Sequence, residues 1–353
     1  MLPLLKPLKL GSMEVKNRIL MAPLTRTRAS GEDGRTPNLL MQKYYEQRAA
    51  AGLILSEATA VTPMGVGYPN TPGIWSEAHV ENWKAITDKV HAAGGKILLQ
   101  LWHVGRISHP IYLNGALPVS ASAVRADGHV SLLHPRQDYP TPRALELSEI
   151  PGVIEAYRKG AENAKRAGFD GVEIHGANGY LLDQFLQDGT NLRADAYGGT
   201  IENRAKLMLE VTDAVASVWG ADRVGMHLSP RSDIMSMKDS NPEATFSYVV
   251  EQLSKRQIAF VCLREHEGPD SLLPKLKRIF KGPVIGNEGF SFASAEAALA
   301  RGDIDAVAFG KDFIANPDLV KRYELGAQLN PPVPTTFYGE GSVGYTDYRF
   351  LEA

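Results

Sequence analysis

The run His175-Gly176-Ala177-Asn178-Gly179-Tyr180 gathers an imidazole, a carboxamide and a phenol. His175 and Asn178 are three apart and would face opposite sides of a continuing strand, but Gly176 and Gly179 let the chain turn and bring them together. Two neutral donors then share one acceptor oxygen. A phenol with an ordinary pKa of ~10 stays protonated at neutral pH and delivers a proton rather than removing one. The combination suits a substrate carbonyl that gains negative charge while Tyr180 protonates the neighbouring carbon. The plainer alternative is an ordinary polar turn between a strand and a helix.

A phosphate would find two places late in the chain, Gly286-Asn287-Glu288-Gly289 and Gly310-Lys311. Backbone N–H groups hold the anion at such turns, and Lys311 adds a point charge. A free carboxylate on Glu288 would repel it, so that side chain is expected to point away while its N–H contributes. Gly339-Glu340-Gly341-Ser342-Val343-Gly344 matches the dinucleotide fingerprint in letters, yet it follows no convincing strand and too little chain remains for a helix and an acidic ribose ligand. No P-loop is present, since neither Gly95-Lys96 nor Gly310-Lys311 is followed by Ser or Thr at the required spacing. A rival chemistry would use His103, His175, His227 and His266 as ligands of a metal in a hydrolase barrel, although none shows compact metal-ligand spacing.

These residues need elements to carry them. Short apolar runs of strand length recur at 18–22, 53–58, 96–102, 171–175, 223–228, 259–264, 283–286 and 306–310, each followed by a longer stretch, as in a parallel sheet. Helical patterns lie at 77–93, 150–167, 201–219, 246–255, 272–280 and 294–301, with Thr200 and Ser294 as caps and Gly94, Gly168 and Gly302 as terminators. Strand-helix units at this spacing fit a closed (β/α)8 TIM barrel better than an open doubly wound sheet. Thr25, Gln100, His103, His175 and His227 all fall at or just past strand ends, which converge at one mouth. Residues 107–144, rich in Pro, Ser, His and Gly, exceed an ordinary loop and follow the third strand, so they are expected to cap the C-terminal face. No break in composition divides the chain, and one domain over 1–353 is the simpler reading.

The 353 residues are 44% hydrophobic and 22% charged, enough to bury a large core. Lys plus Arg number 38 against 40 Asp plus Glu, so no overall positive field draws phosphate backbones or anionic lipids, and nucleic acid and membrane are not expected partners. The single cysteine, Cys262, excludes an intrachain disulfide framework and multi-Cys metal sites, which suits the cytoplasm. Prolines and lysines interrupt the apolar N-terminus before a signal-peptide core forms, and no run reaches the ~18 apolar residues that cross a bilayer.

Longer motifs, in order, resemble the Old Yellow Enzyme family of FMN-dependent ene-reductases across nearly the whole chain. They include Ala22-Pro23-Leu24-Thr25-Arg26, Ser56-Glu57-Ala58-Thr59, Gly67-Tyr68-Pro69-Asn70-Thr71-Pro72-Gly73-Ile74-Trp75, Leu99-Gln100-Leu101-Trp102-His103-Val104-Gly105-Arg106, and Glu173 through Arg204. Within the family the chain looks most like bacterial xenobiotic and N-ethylmaleimide reductases. The resemblance implies a TIM barrel binding FMN noncovalently, reduced by NADH or NADPH, which leaves before substrate enters. It implies that Pro23, Leu24, Thr25, Ala58 and Gln100 contact the flavin ring, that Glu288, Gly289, Gly310 and Lys311 serve its phosphate end, and that His227 is a further cofactor contact. It also implies that His175 and Asn178 hold the substrate oxygen, that Tyr180 donates the proton, and that Tyr68, Trp102 and Tyr338 line the cavity. Two positions depart from the commoner pattern: His227 and Lys311 stand where many members carry arginine. Lys311 replaces the charge but not the bidentate fork. The substrates implied are enones, maleimides, nitroalkenes, nitrate esters and sometimes nitroaromatics, acted on by a monomer or homodimer.

Overall fold

The computed structural model describes residues 2–352. Among them, parallel strands close into an eight-stranded barrel, named here in chain order: β1 (Ile19–Met21), β2 (Ile54–Ala60), β3 (Ile97–Trp102), β4 (Gly171–His175), β5 (Val224–Leu228), β6 (Phe260–Arg264), β7 (Val284–Asn287) and β8 (Ala306–Phe309). Each lies within two residues of its expected run. All their residues but Arg264 and Asn287, at strand ends, are buried, because helices cover the outside and side chains fill the inside, so both faces of every strand must be apolar or hydrogen-bonded. Val172 and Ile174 of β4 and Val224, Met226 and Leu228 of β5 point out to the helices. The residues between them point in.

The inward residues form layers. Leu55, Leu98, Phe260, Ile285 and Ala306 pack as an apolar plug low in the barrel. Leu10, Met13 and Val15 join that plug from a small antiparallel hairpin, Leu8–Leu10 with Met13–Val15, which the alternation of apolar runs did not reveal. Above it sit Gln100, Glu173, His227 and Cys262, a buried polar layer directly beneath the strand ends.

Two helix starts differ from expectation. The helix expected at 246 begins at Pro242, since Asn241 caps it by accepting from Ala244 N–H at 3.1 Å and proline is pre-set for the first turn. Ser294 is not the cap of the helix Phe292–Arg301: Ser291 is, and Ser294 closes a reciprocal capping box with it. Thr200 caps Ile201–Trp219 as expected. Residues 107–144 contain one short 3-10 turn, Pro110–Tyr112, and two short strands, Val119–Ser120 and Arg143–Ala144, paired in parallel; Ala126, Val130 and Tyr139 of this segment pack against Tyr68 and Trp102. Among the described residues no helix is long and apolar enough to cross a membrane.

Barrel closure leaves no room at Gly225, whose register partner on β6 is Phe260. A methyl group there would lie 2.1 Å from the Phe260 ring. Gly225→Ala is expected to lower stability by ~1–3 kcal/mol through overpacking, measured by urea unfolding. A stability change below ~0.5 kcal/mol would mean that the inner layer is looser than its packing shows.

Candidate active site

β4 ends at His175 and the chain reverses before the helix Leu181–Leu186. The left-handed residues are Asn178 (φ 58°) and Gly179 (φ 76°), not Gly176 as the sequence suggested. Gly176 serves close packing instead: a Cβ there would lie 2.8 Å from Met226 Sδ. Asn178 tolerates this backbone because its amide side chain and its N–H are both anchored. Asn178 N–H donates to Ser229 Oγ at 2.8 Å, and Gly179 N–H donates to Asp183 Oδ2 at 2.9 Å.

The turn brings His175 and Asn178 to one cavity of about 650 Å³, together with Pro23, Leu24 and Thr25 from the exit of β1. Burial first, then His227 and Arg264, holds the His175 imidazole well below its usual pKa, so it is neutral at pH 7. Its Nδ1 accepts from Ala177 N–H at 3.4 Å, which leaves Nε2 to carry the ring proton. Asn178 Oδ1 accepts from the Arg264 guanidinium at 2.7 Å, so its NH2 group is the end left to donate. Both side chains are therefore neutral donors.

Tyr180 stands edge-on to His175, with ring centroids 4.9 Å apart, and edge-on to Trp102 at 5.0 Å. Its hydroxyl is 2.9 Å from that of Tyr68. Burial pushes the Tyr180 phenol above its usual pKa, more than the Tyr68 hydrogen bond lowers it, so it keeps its proton at neutral pH. A second cavity of about 480 Å³ lies over Tyr68 and Tyr180 and is walled by His129, Ser131 and Leu132 from residues 107–144. Thr25, Asn178, Arg264 and Tyr338 border both cavities. Trp102 does not face either one; it stacks behind Tyr68 at 5.5 Å and backs the wall.

The late turns also reach the main cavity. Glu288 (φ 80°) and Gly289 (φ 79°) are consecutive left-handed residues. The Glu288 carboxylate does not simply point away: it accepts from Arg264 at 2.8 Å, which compensates its charge. Gly310 and Lys311 complete this end of the cavity, Lys311 opening the helix Lys311–Ala315. Ala58 and Gln100 lie outside the lining. Gln100 sits in the polar layer below, its amide donating to Glu173 Oε2 at 2.7 Å. His227 reaches the cavity from that layer, with Nδ1 3.5 Å from Glu173 Oε2 and Nε2 4.0 Å from Cys262 Sγ.

Arg264 joins Asn178 on one side of the cavity to Glu288 on the other and had no role in the sequence reading. Its position as the last residue of β6 was the available signal, since strand ends supply such groups. The four histidines of the metal reading do not converge. His175 and His227 stack face to face at 5.7 Å, His103 Nδ1 accepts from Gly105 N–H while burial drives its pKa down to about 3, and His266 is exposed over Glu288. Among the described residues, the ligand-type atoms that do cluster belong to Glu173, His227 and Cys262, and His227 turns opposite nitrogens to the other two.

A family described as NADH:flavin oxidoreductase / NADH oxidase matches residues 3–330. The chain is 43% identical over 368 residues to 12-oxophytodienoate reductase 2 of Arabidopsis thaliana, covering 99% of this chain and 96% of that one. It is 44% identical over 366 residues to a putative 12-oxophytodienoate reductase 5 of Oryza sativa subsp. japonica, covering 99% and 96%. The structure of morphinone reductase in complex with tetrahydroNAD superimposes with a TM-score of 0.95 at 48% identity, covering 99% of this chain and 98% of that one. An Old Yellow Enzyme homologue from Zymomonas mobilis superimposes equally well, with a TM-score of 0.95 at 44% identity and 99% of each chain covered. The chain belongs to the Old Yellow Enzyme family, and it is an FMN-dependent enzyme of the ene-reductase type on a TIM barrel. The hydrolase reading finds no support in these relationships.

The residues fit FMN. A cavity of about 650 Å³ lies in the range of cofactor sites, ~300–1,000 Å³. It has an apolar floor at Ala22 and Pro23, neutral donors on one side, and paired left-handed turns with Lys311 at the other, which suits a flat ring with a phosphorylated tail.

Asp183, which anchors the turn, carries a pH signature. Burial pushes its carboxyl up to about 7, against ~3.9 in an unfolded chain. The folded state holds that proton more tightly, so this group's contribution to stability is full below ~4 and is lost as pH rises through about 7. Glu57, also raised to about 7 by burial, acts in the same direction. Asp183→Asn should reduce, without abolishing, the loss of stability between pH 4.5 and 7.5, by more than ~1 kcal/mol. Urea titrations at both pH values test this, and an unaltered pH slope would contradict it.

Proposed function

We propose that this enzyme reduces activated carbon-carbon double bonds, in enones, maleimides and nitroalkenes, at the expense of NADH or NADPH. The observation that carries the reading is the phenol of Tyr180, edge-on to His175 with ring centroids 4.9 Å apart, beside two neutral donors, His175 and Asn178, where the main and second cavities adjoin. When bound, FMN supplies hydride chemistry, accepting a hydride from the nicotinamide and giving one to the β-carbon of the alkene. Pro23, Leu24 and Thr25 would hold its ring from the β1 side, with the Thr25 hydroxyl as a donor to it. His227 would support the ring from β5, with Ala58 and Gln100 backing it from outside the lining on β2 and β3, and the backbone N–H groups of Glu288 and Gly289 with Gly310 and Lys311 would hold the phosphate.

Charge moves onto the activating oxygen of the substrate as the β-carbon gains hydride. His175 Nε2–H and the Asn178 amide are aimed there, and both are pre-oriented by bonds that substrate need not form. The burial that keeps His175 neutral also strengthens its hydrogen bond to a developing enolate. Tyr180 gives its proton to the α-carbon: its O–H bond breaks as the C–H bond forms. Its raised pKa keeps the proton in place until the carbanion character of the enolate draws it. Tyr68 fixes the hydroxyl's direction. Tyr338 and His129, Ser131 and Leu132 of the 107–144 segment wall the second cavity over Tyr180. The lone buried Cys262 fits a cytoplasmic setting.

Tyr180→Phe should slow alkene reduction by ~10²–10⁴-fold while flavin reduction by NAD(P)H stays within about threefold. Stopped-flow measurement of the two half-reactions decides this, since equal damage to both would refute a proton-donor role. His175→Ala should weaken a phenol, a mimic of the enolate, by ~10²-fold or more. An unchanged dissociation constant in a spectral titration would remove His175 from the oxygen site.

A further inference from the structure

The glycine-rich segment Gly339-Glu340-Gly341-Ser342-Val343-Gly344 has no dinucleotide to hold, yet the chain around it carries Phe337 and Tyr338 into the main cavity. Its tip is exposed, with Val343 64% accessible, and its glycines cannot lock it by themselves. The ends nevertheless meet: a Cβ on Gly344 would lie 1.8 Å from Thr336 Oγ1, the closed outline of an Ω-loop.

What shuts the loop comes from the other end of the sequence. Arg26, fully buried, donates to Phe337 O at 3.0 Å, Gly344 O at 2.8 Å and the Tyr44 hydroxyl at 2.9 Å. Arg28 donates to Phe337 O at 2.8 Å, Thr336 O at 3.0 Å and Val343 O at 3.3 Å. Thr27 Oγ1 accepts from Gly339 N–H at 3.1 Å. Tyr345, just past the loop, stacks on Tyr44 at 4.1 Å, and both guanidiniums lie about 5 Å from the Tyr345 ring. The side-chain hydrogen bonds of both arginines thus go to carbonyl and phenol oxygens, several of them on the loop. Opening the loop would strip two buried cations of their acceptors, and removing an arginine would orphan the carbonyls, so loop and clasp hold or fail together.

The clasp follows Thr25 directly in sequence, and Thr25 and Tyr338 border both cavities. We propose that Arg26 and Arg28 are positioning residues that fix the height of Phe337 and Tyr338 over Thr25, and so set which flat, electron-poor alkenes enter. This rests on the reading of the cavity as the substrate site. The clasp recognises only backbone groups on the loop, carbonyl oxygens and the Gly339 N–H, so it holds Phe337 and Tyr338 without using either side chain.

The test compares FMN-loaded wild type with Arg28→Gln, Arg28→Lys and Thr27→Ala. In Arg28→Gln, a glutamate-specific endoprotease should cut after exposed Glu340 about tenfold faster, the loss expected from one charge-assisted contact. The KM for 2-cyclohexenone and the Kd for a para-substituted phenol should rise together by about tenfold, with kcat moving less than about threefold. Arg28→Lys, one donor in place of a fork, and Thr27→Ala, which removes the Gly339 tether and a local bond to Arg26 O, should fall between. Unchanged cleavage, or faster cleavage with KM and phenol affinity unmoved, would overturn the proposal. A fall in kcat at constant KM would do the same. If Arg28→Gln does not fold, Arg28→Lys and Thr27→Ala carry the test. If the wild type reduces no enone, the functional reading fails by itself, and phenol affinity with loop cleavage still decides the clasp.

Discussion

Closing parallel strands into a cylinder sends every strand's C-terminal end to one rim, and all the chemistry of this protein depends on that constraint. Thr25, His175, His227, Arg264, Gly289 and Gly310 come from separate strand-helix units, spread over nearly the whole chain, yet they border one cavity. Closure is itself maintained by packing. The inward apolar layer and the N-terminal hairpin fill the lower barrel so that the polar layer has a rigid floor.

The polar layer makes that floor electrostatically active. Glu173 lies wholly inside the barrel with Gln100 donating to it and His227 beside it. Gln100 satisfies its Oε2, while Oε1 is buried with no hydrogen-bond partner among the described residues. Arg264 does the complementary work at the rim, where a single guanidinium meets Asn178 on one side and Glu288 on the other. The same contact orients the amide that would hold a substrate oxygen and compensates a carboxylate near the phosphate end. Arginine's planar fork allows both, which a lysine at that position would not.

The site is built from pre-oriented neutral groups within a low-dielectric setting. His175 is kept uncharged by burial and by neighbouring His227 and Arg264, and Tyr180 keeps its proton for the same reason of burial. Neither group has to reorganise when charge appears on a substrate, and this is where such sites derive their rate advantage. The roof follows a different rule. Phe337 and Tyr338 stand on a glycine-rich loop without regular structure, and buried arginines supply the order that the loop lacks.

The barrel, its strands and the order of the motifs were legible in the sequence because apolar runs and capping residues are local signals. The grouping of His175, Asn178 and Tyr180 was equally legible, since a glycine-bearing turn at a strand end concentrates them in a short run. The tertiary structure alone decided that Asn178 and Gly179, rather than Gly176, make the turn, that Trp102 backs the wall, and that Gln100 lies under the cavity. It alone joined Arg264 to Asn178 and Arg26 to Phe337, partners 86 and 311 positions apart. Such pairs leave no trace in periodicity or spacing, because nothing short of the closed barrel brings their strands and loops together.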